Sequence, residues 1–269
     1  ADTLSPPAVV GALLGDCPRQ SEAAVIKLEK GASCWRLMGR NGALGEAATV
    51  VLCSGAALPD LWPETLGPAP LPIRPNRGQV SLYELNGPTP RIGIGFGGYV
   101  SPGLMTASGR RFVLTGATYD DWPIDKRGHD QLRPDDDGRN RDLLGRCLPK
   151  LGARLAQRPF ASRAALRATT PDRLPLVGGL FDTGAFEPIF GRSLRGARPE
   201  PGETLPYAEG LYLLGGLGSR GLLWAPLLAR MLAARIAGSP LPVPRDVEER
   251  LLAQRFLARS IKRGKPLLP

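Results

Sequence analysis

LYLLGGLGSRGLLWAPLLARMLAARIAG, residues 211–238, sets a cluster of glycines between two apolar runs. Leu211 to Leu214 predict a short buried strand, and Leu222 to Ile236 predict a helix that begins as the glycines end. Gly216, Gly218 and Gly221 carry the G-x-G-x-x-G spacing, in which a strand turns into a helix and its first N–H groups face an anion. A complete dinucleotide-binding unit also needs a second parallel strand with an acidic end roughly 20 residues later. Here GSPLPVPRD follows, whose prolines argue against a central strand, and Asp246 opens another helical pattern. The fingerprint is half present. A second match, Gly93, Gly95 and Gly98 in GIGFGG, runs into YVSPG, a strand or turn that offers no helix N-terminus.

The chain has 269 residues, 42% of them hydrophobic, enough for one elaborate domain or two smaller ones. Its 34 glycines and 28 prolines predict many turns, below the range of low-complexity sequence. Cys17, Cys34, Cys53 and Cys147 show no C-x-x-C spacing, which argues against a zinc site or disulfide framework and for reduced, cytoplasmic thiols. No charged-then-apolar leader and no run of 18 apolar residues supports secretion or membrane spanning. The start without Met points to a fragment or a processed end. The single histidine, His129, lies in a polar loop, DKRGHDQLRPDDDG, which speaks against a Ser-His-Asp triad or a histidine-based metal centre.

A net charge of +10 favours an anionic partner. Residues 139–173 hold nine basic side chains against Asp142 and Asp172. Arg146, Lys150, Arg154 and Arg158 recur every fourth residue, a spacing that destabilises a lone helix unless an anion or counter-charge is near. Pro149 interrupts that stripe. A second basic segment, 245–265, includes Arg259, Lys262 and Arg263. Solvated helix faces and nucleic-acid contact both account for these charges.

Ser5, Pro6 and Pro7 open a helix over AVVGALL. AVIKLEK, SCWRLMG and ATVVLCSGAA read as strands, and LPDLWPETLGPAPLPIRP as a proline-rich linker. The alternation in RGQVSLYEL, PRIGIGFGGYVSPGL and RRFVLTGATY predicts an antiparallel sheet. RNRDLLGRCLPKLGARLA is helical, with Leu144, Leu148, Leu151 and Leu155 on one face.

In order and spacing, ATVVLCSGAA, RPNRGQVS, GYVSP, VLTGATY, LRATTPDRLPLVGG and GGLGSRGLLWAPLLA resemble the FAD-dependent amine oxidoreductases of the D-amino-acid-oxidase and glycine-oxidase type. RGQ, GATYDDWP, TPDRLPLVG and RFLARSIKRG look most like one branch, the oxidoreductase half of bifunctional tRNA 5-methylaminomethyl-2-thiouridine biosynthesis proteins. The resemblance implies an α/β (mixed α+β) fold, in which a partial, doubly wound FAD-binding domain (1–68 and 165–240) is interrupted by an antiparallel-sheet substrate domain (69–164) and followed by a basic helix and tail (241–269). The family's N-terminal pyrophosphate-binding unit and the branch's methyltransferase half are not in this sequence, so it looks like the C-terminal portion of a longer protein.

The resemblance also implies FAD as cofactor, tRNA with a modified wobble uridine as partner, and no metal or membrane. The late glycine turn then serves the flavin ring through Gly216, Gly218, Ser219, Arg220, Gly221 and Leu222, with Gly55, Ala56 and Arg77 nearby. Arg77 can also contact RNA phosphate or simply pair with a nearby acid. Arg167 matches the arginine that binds the substrate carboxylate and Tyr99 a tyrosine near the substrate, the two catalytic candidates. Asp172 reads as a turn former. Arg146, Lys150, Arg154, Arg158, Arg259, Lys262 and Arg263 would hold tRNA phosphates. Two other readings stay open: a small-amine oxidase of the glycine or sarcosine type, and a nonenzymatic basic RNA-binding fragment.

Overall fold

The strands run in chain order β1 (Lys27–Lys30), β2 (Trp35–Gly39), β3 (Gly42–Ala47), β4 (Val50–Leu52), β5 (Arg74–Glu84), β6 (Ile94–Gly95), β7 (Tyr99–Val100), β8 (Leu104–Met105), β9 (Arg111–Gly116), β10 (Asp120–Asp121), β11 (Ala161–Thr169), β12 (Leu176–Phe181) and β13 (Tyr207–Gly215). The helices are α1 (Pro6–Leu14), α2 (Pro134–Cys147), α3 (Pro149–Gly152), α4 (Phe186–Leu194), α5 (Gly221–Ile236), α6 (Arg245–Glu249) and α7 (Gln254–Arg263). This computed structural model describes residues 5–123, 127–196 and 204–264. The outer ends of the expected terminal segments, 1–4 and 265–269, lie outside the described residues.

The chain divides into two compact units, Ala1–Cys17 with Pro75–Arg167 and Pro18–Arg74 with Ala168–Pro269. The first is built on a seven-stranded sheet of order β10-β5-β9-β7-β6, with β11 also paired to β5 and β8 to β9. The β5–β9, β9–β7 and β7–β6 pairs are antiparallel, as the alternating sequence predicts. On its apolar side Tyr83, Val100, Val113, Leu144, Leu151 and Leu155 form one cluster, with Leu148 packed against it. The four leucines read from the helical pattern therefore share a core. Pro149 ends the helix as expected: α2 stops at Cys147 and α3 starts at Pro149, because proline lacks the N–H that would continue the ladder. Arg158 lies beyond both helices.

Towards the start of β5 the same α2-covered face turns polar, because Arg77, Gln79 and Ser81 alternate in line with Tyr83. Arg77, fully buried, forms an ion pair with Asp136 of α2 and donates to Gln79 Oε1 at 3.0 Å, His129 O at 3.0 Å and Gln131 O at 2.6 Å. Asp137 accepts from Gln79, Ser81 and Ser162 at 2.6–2.8 Å. Asn140 donates to Gln79 O and Ser81 Oγ. A buried charge is tolerable only when paired and hydrogen-bonded, and here each guanidinium nitrogen has a partner. The cofactor role expected of Arg77 is thus corrected: its donors are spent holding α2 to β5.

In the second unit, β12, β13 and β4 form a sheet in which β13 runs antiparallel to β12 and parallel to β4. Every residue of LVGGLF in β12 is buried, the pattern of a strand covered on both faces. Leu176, Leu180, Leu211 and Leu213 turn to one cluster with Trp62 and Phe181, while Val177, Tyr212 and Leu214 turn to another with Leu228, Met231 and Leu232 of α5. A separate three-stranded antiparallel sheet, β1-β2-β3, includes GALGEA, a strand that its weak β-formers did not announce. The proline-rich stretch expected as a linker instead buries Leu58, Trp62, Leu71 and Ile73 in the first of these clusters.

Asp172 anchors α7. It accepts from Arg255 at 2.9 and 3.2 Å and from Arg259 at 2.5 Å, and also from the Leu174 N–H two residues on. Burial pushes its carboxyl up, but the two guanidinium groups outweigh that and hold it well below the usual carboxylate range. Arg259, expected to touch RNA phosphate, gives one nitrogen to this ion pair while its side chain stays partly exposed.

Candidate active site

In the first unit, β11 lies beside β5 and carries Arg167. Gly78 of β5 makes room for it, since a Cβ there would collide with the Arg167 guanidinium. Nη1 of Arg167 donates to Asn76 Oδ1 and to Thr118 O, both at 3.3 Å, and the guanidinium stands 5.4 Å from the centre of the Tyr119 ring. Nη2 has no hydrogen-bond partner among the described residues. Asn76 is 1% exposed, and its Nδ2 has no hydrogen-bond partner there either. A cation with free donors beside a buried, unsatisfied amide is an arrangement that accepts a carboxylate.

Tyr99 of β7 is close enough for the positive charge of Arg167 to act on its phenol. Burial pushes that phenol above its ordinary value and Arg167 pulls the other way, with burial the larger effect. It stays a protonated donor at neutral pH. The structure thus brings together the two residues expected at the substrate, Arg167 and Tyr99. It adds three that sequence reasoning missed, Asn76, Gly78 and Tyr119. Asn76 and Gly78 flank Arg77 in RPNRGQVS, and Tyr119 closes GATY.

Next to Tyr119 a recess of about 360 Å³ is lined by Gly97, Thr118, Asn140, Asp142 and Arg146, among others. Arg139, also on its wall, is neutralised by Asp120 at 2.8 and 3.0 Å and by Asp136. Arg146 is exposed and has no ion pair among the described residues.

In the second unit the glycine turn joins β13 to α5, as the opening stretch predicts. Gly218 has φ +56°, a left-handed conformation that glycine adopts without strain, and a Cβ there would meet only Thr169 Cγ2 at 3.9 Å. Its N–H donates to Ala168 O at 2.8 Å and that of Arg220 to Leu217 O at 3.1 Å. The N–H groups of Ser219, Gly221 and Leu222 have no partner among the described residues, and the first turn of α5 holds no acidic residue. This is the positive end of a 16-residue helix with three unspent donors, a fit for the electron-rich edge of a flat ring. Gly55, after β4, has nothing within 4 Å of where a Cβ would sit, and Ala56 follows it.

Among the basic residues, Arg146, Lys150, Arg158, Lys262 and Arg263 are exposed. Arg154 is half-buried and donates to Pro88 O and Lys150 O. Among the described residues no group of three or more histidine, cysteine or acidic side chains is placed to hold a metal, and no helix is long and apolar enough to cross a membrane.

A family model described as FAD dependent oxidoreductase, DAO, matches residues 3–235. The chain belongs to the DAO family of FAD-dependent oxidoreductases. FAD is the cofactor of that family, and the open glycine turn of this DAO chain suits it. Relatives named tRNA 5-methylaminomethyl-2-thiouridine biosynthesis bifunctional protein MnmC include one from Magnetococcus marinus, 32% identical over 98% of this chain and 39% of its own length. Another, from Caulobacter sp., is 41% identical over 88% of this chain and 33% of its own. The DAO chain therefore spans little more than a third of these relatives. Among solved structures, glycine oxidase from Geobacillus kaustophilus superposes with a TM-score of 0.59 at 19% identity, over 82% of this chain and 50% of its own. Iminodiacetate oxidase from Chelativorans sp. BNC1 does so with 0.57 at 20% identity, over 86% and 52%. These likenesses show the mixed α/β fold of the DAO enzymes.

Proposed function

We propose that this chain is the part of a tRNA-modifying enzyme that removes the carboxymethyl group from 5-carboxymethylaminomethyl-uridine, or its 2-thio form, at the wobble position. The observation that carries the reading is Arg167, laid over Gly78 and steadied by Asn76 and Thr118 O, with donors left for a carboxylate. It holds the N–CH2–COO− arm by its acid end and fixes which C–H is presented. The neutral Tyr99 phenol offers a hydrogen bond to the same arm. Ser219, Gly221 and Leu222 would hold the flavin ring, and FAD, when bound, supplies the two-electron acceptor for the hydride. Water then adds to the resulting imine carbon, the C–N bond breaks, and glyoxylate leaves the aminomethyl base behind. The exposed Arg146, Lys150, Arg158, Lys262 and Arg263 are assigned to tRNA phosphates, residues 69–164 to the substrate, and 1–68 with 165–240 to the flavin. A methyltransferase segment in the longer protein would act on the aminomethyl product, and cytoplasmic tRNA sets the compartment.

The test is a parallel assay of the flavin-loaded full-length protein on modified tRNA and on free sarcosine. Glyoxylate from the RNA and little turnover of sarcosine is the expected result. Efficient sarcosine oxidation with the RNA untouched makes it a small-amine oxidase, and absence of flavin absorption in the purified protein removes the redox reading.

A further inference from the structure

We propose that the recess beside Tyr119 seats the wobble nucleotide, its pyrimidine stacked on the Tyr119 ring and a flanking phosphate on Arg146. The inference rests on the functional reading above and adds the subsite that tells a nucleotide from a free amino acid. Tyr119 is 58% exposed, and single exposed aromatics are ordinary. This one, however, belongs to two features at once. It stands 5.4 Å from the Arg167 guanidinium and also lines the cavity of about 360 Å³. A ligand whose carboxylate reaches Arg167 while its ring lies on Tyr119 must carry a flexible acidic arm on a flat ring. A uracil with a CH2–NH–CH2–COO− substituent at C5 has that form. The cavity lies in the range that holds ligands larger than an amino acid.

The charges around the recess favour the same occupant. Arg139 is matched by Asp120 and Asp136, so among the described residues that line the recess the cation left for a phosphate is Arg146. Asp142 is an exposed acceptor for a ribose hydroxyl or a ring N–H, and it keeps the recess from being a general anion trap. On the floor, Asn140 Nδ2 is tied to Gln79 O and Ser81 Oγ, which keeps the side chain from moving into the space.

The experiment measures binding to the full-length protein of two anticodon stem-loop RNAs, one with uridine at the wobble position and one abasic there. Tyr119→Ala is expected to weaken the uridine RNA by roughly tenfold or more, to leave the abasic RNA unchanged, and to be rescued by Tyr119→Phe. Arg146→Ala is expected to weaken both RNAs and to lower the salt slope by about one. Equal affinity of the unaltered protein and Tyr119→Ala for the uridine RNA overturns the stacking site while the tRNA reading stands. Failure of the unaltered protein to bind either RNA overturns both.

Discussion

In the first unit the face of β5 that meets α2 carries Arg77, Gln79 and Ser81. In the second, the matching layer between β12 and β13 and their cover is made of leucines and aromatic rings. The two solutions hold their units differently. Aliphatic packing is forgiving of small shifts, because cores tolerate changes that keep volume and pattern. A buried ion pair fixes one geometry through directional bonds, and loss of either partner strands the other in a low dielectric. Arg167 and Asn76 sit on the strand pair that this polar layer steadies, so the candidate carboxylate anchor is built on the more exacting of the two interiors. The turn of the second unit proposed for the flavin needs space instead of a fixed side chain, and glycine on an apolar sheet supplies it.

The comparison breaks most visibly at Asp136. Replacing it with alanine leaves Arg77 buried and unpaired, which is expected to cost about 3–5 kcal/mol. Hydrogen exchange should then rise in β5 and β9 while β12 and β13 stay protected. A double change, Arg77→Met with Asp136→Leu, should restore much of that stability, since a well-packed apolar pair often replaces a buried ion pair without loss. If the single variant is as stable as the parent, the polar layer does not hold the first unit.

Gly78→Ala comes next and separates function from stability. The atoms that a methyl group would meet are the far end of a flexible side chain, so Arg167 can swing away and the strand itself need not move. The thermal midpoint should change little. The charge-assisted bond to the substrate carboxylate, typically about 1.5–3 kcal/mol, should be lost, raising KM for the carboxylate-bearing substrate by about tenfold or more. A large fall in stability with unchanged KM would mean that Gly78 serves packing alone.

How much of this could be read in the sequence follows from range. The strand, glycine turn and helix at 207–236 were legible because their signals are local: an apolar run, left-handed turn residues, a helical period. Pro149 was legible for the same reason. Arg77 was not, because its partner Asp136 lies 59 residues away and the choice between a ligand and an internal acid depends on the docking of α2. The ion pair of Arg259 was hidden likewise, its acid being 87 residues distant. The role of Gly78 appears only once β11 is set beside β5. The buried proline-rich stretch shows the opposite failure. Local turn chemistry was read correctly as irregular backbone, yet Leu58 and Trp62 inside it were already the signal that it packs.

Acid sharpens the comparison more gently. The Asp172 carboxyl is depressed in the folded chain relative to its ordinary value of 3.8, so its contribution is complete above that value and is lost as pH falls through and below it. The docking of α7 in the second unit should loosen below about pH 4, seen as exchange of α7 amides. Asp172→Asn should remove that part of the acid transition. In the first unit, burial together with the charge of Asp137 raises the Tyr83 phenol to about 12, so its contribution is complete below the ordinary value of 10 and fades as pH climbs above it. Acid therefore tests one unit and base the other.

The smallest effect distinguishes basic residues that hold the protein from those left for a partner, and α7 contains both. Arg259 is bound to Asp172, whereas Lys262 and Arg263 in the last turn are exposed. Replacing Lys262 and Arg263 with alanine should leave stability within about 0.5 kcal/mol, as surface changes usually do. The dependence of RNA binding on salt should become shallower by about one to two in the log–log slope, because each phosphate neutralised contributes somewhat less than one. Arg259→Ala should do the reverse, loosening α7 while leaving the slope alone. If the double variant keeps the parent's slope, the end of α7 does not face nucleic acid, and the phosphate contacts must come from Arg146, Lys150 and Arg158 in the first unit.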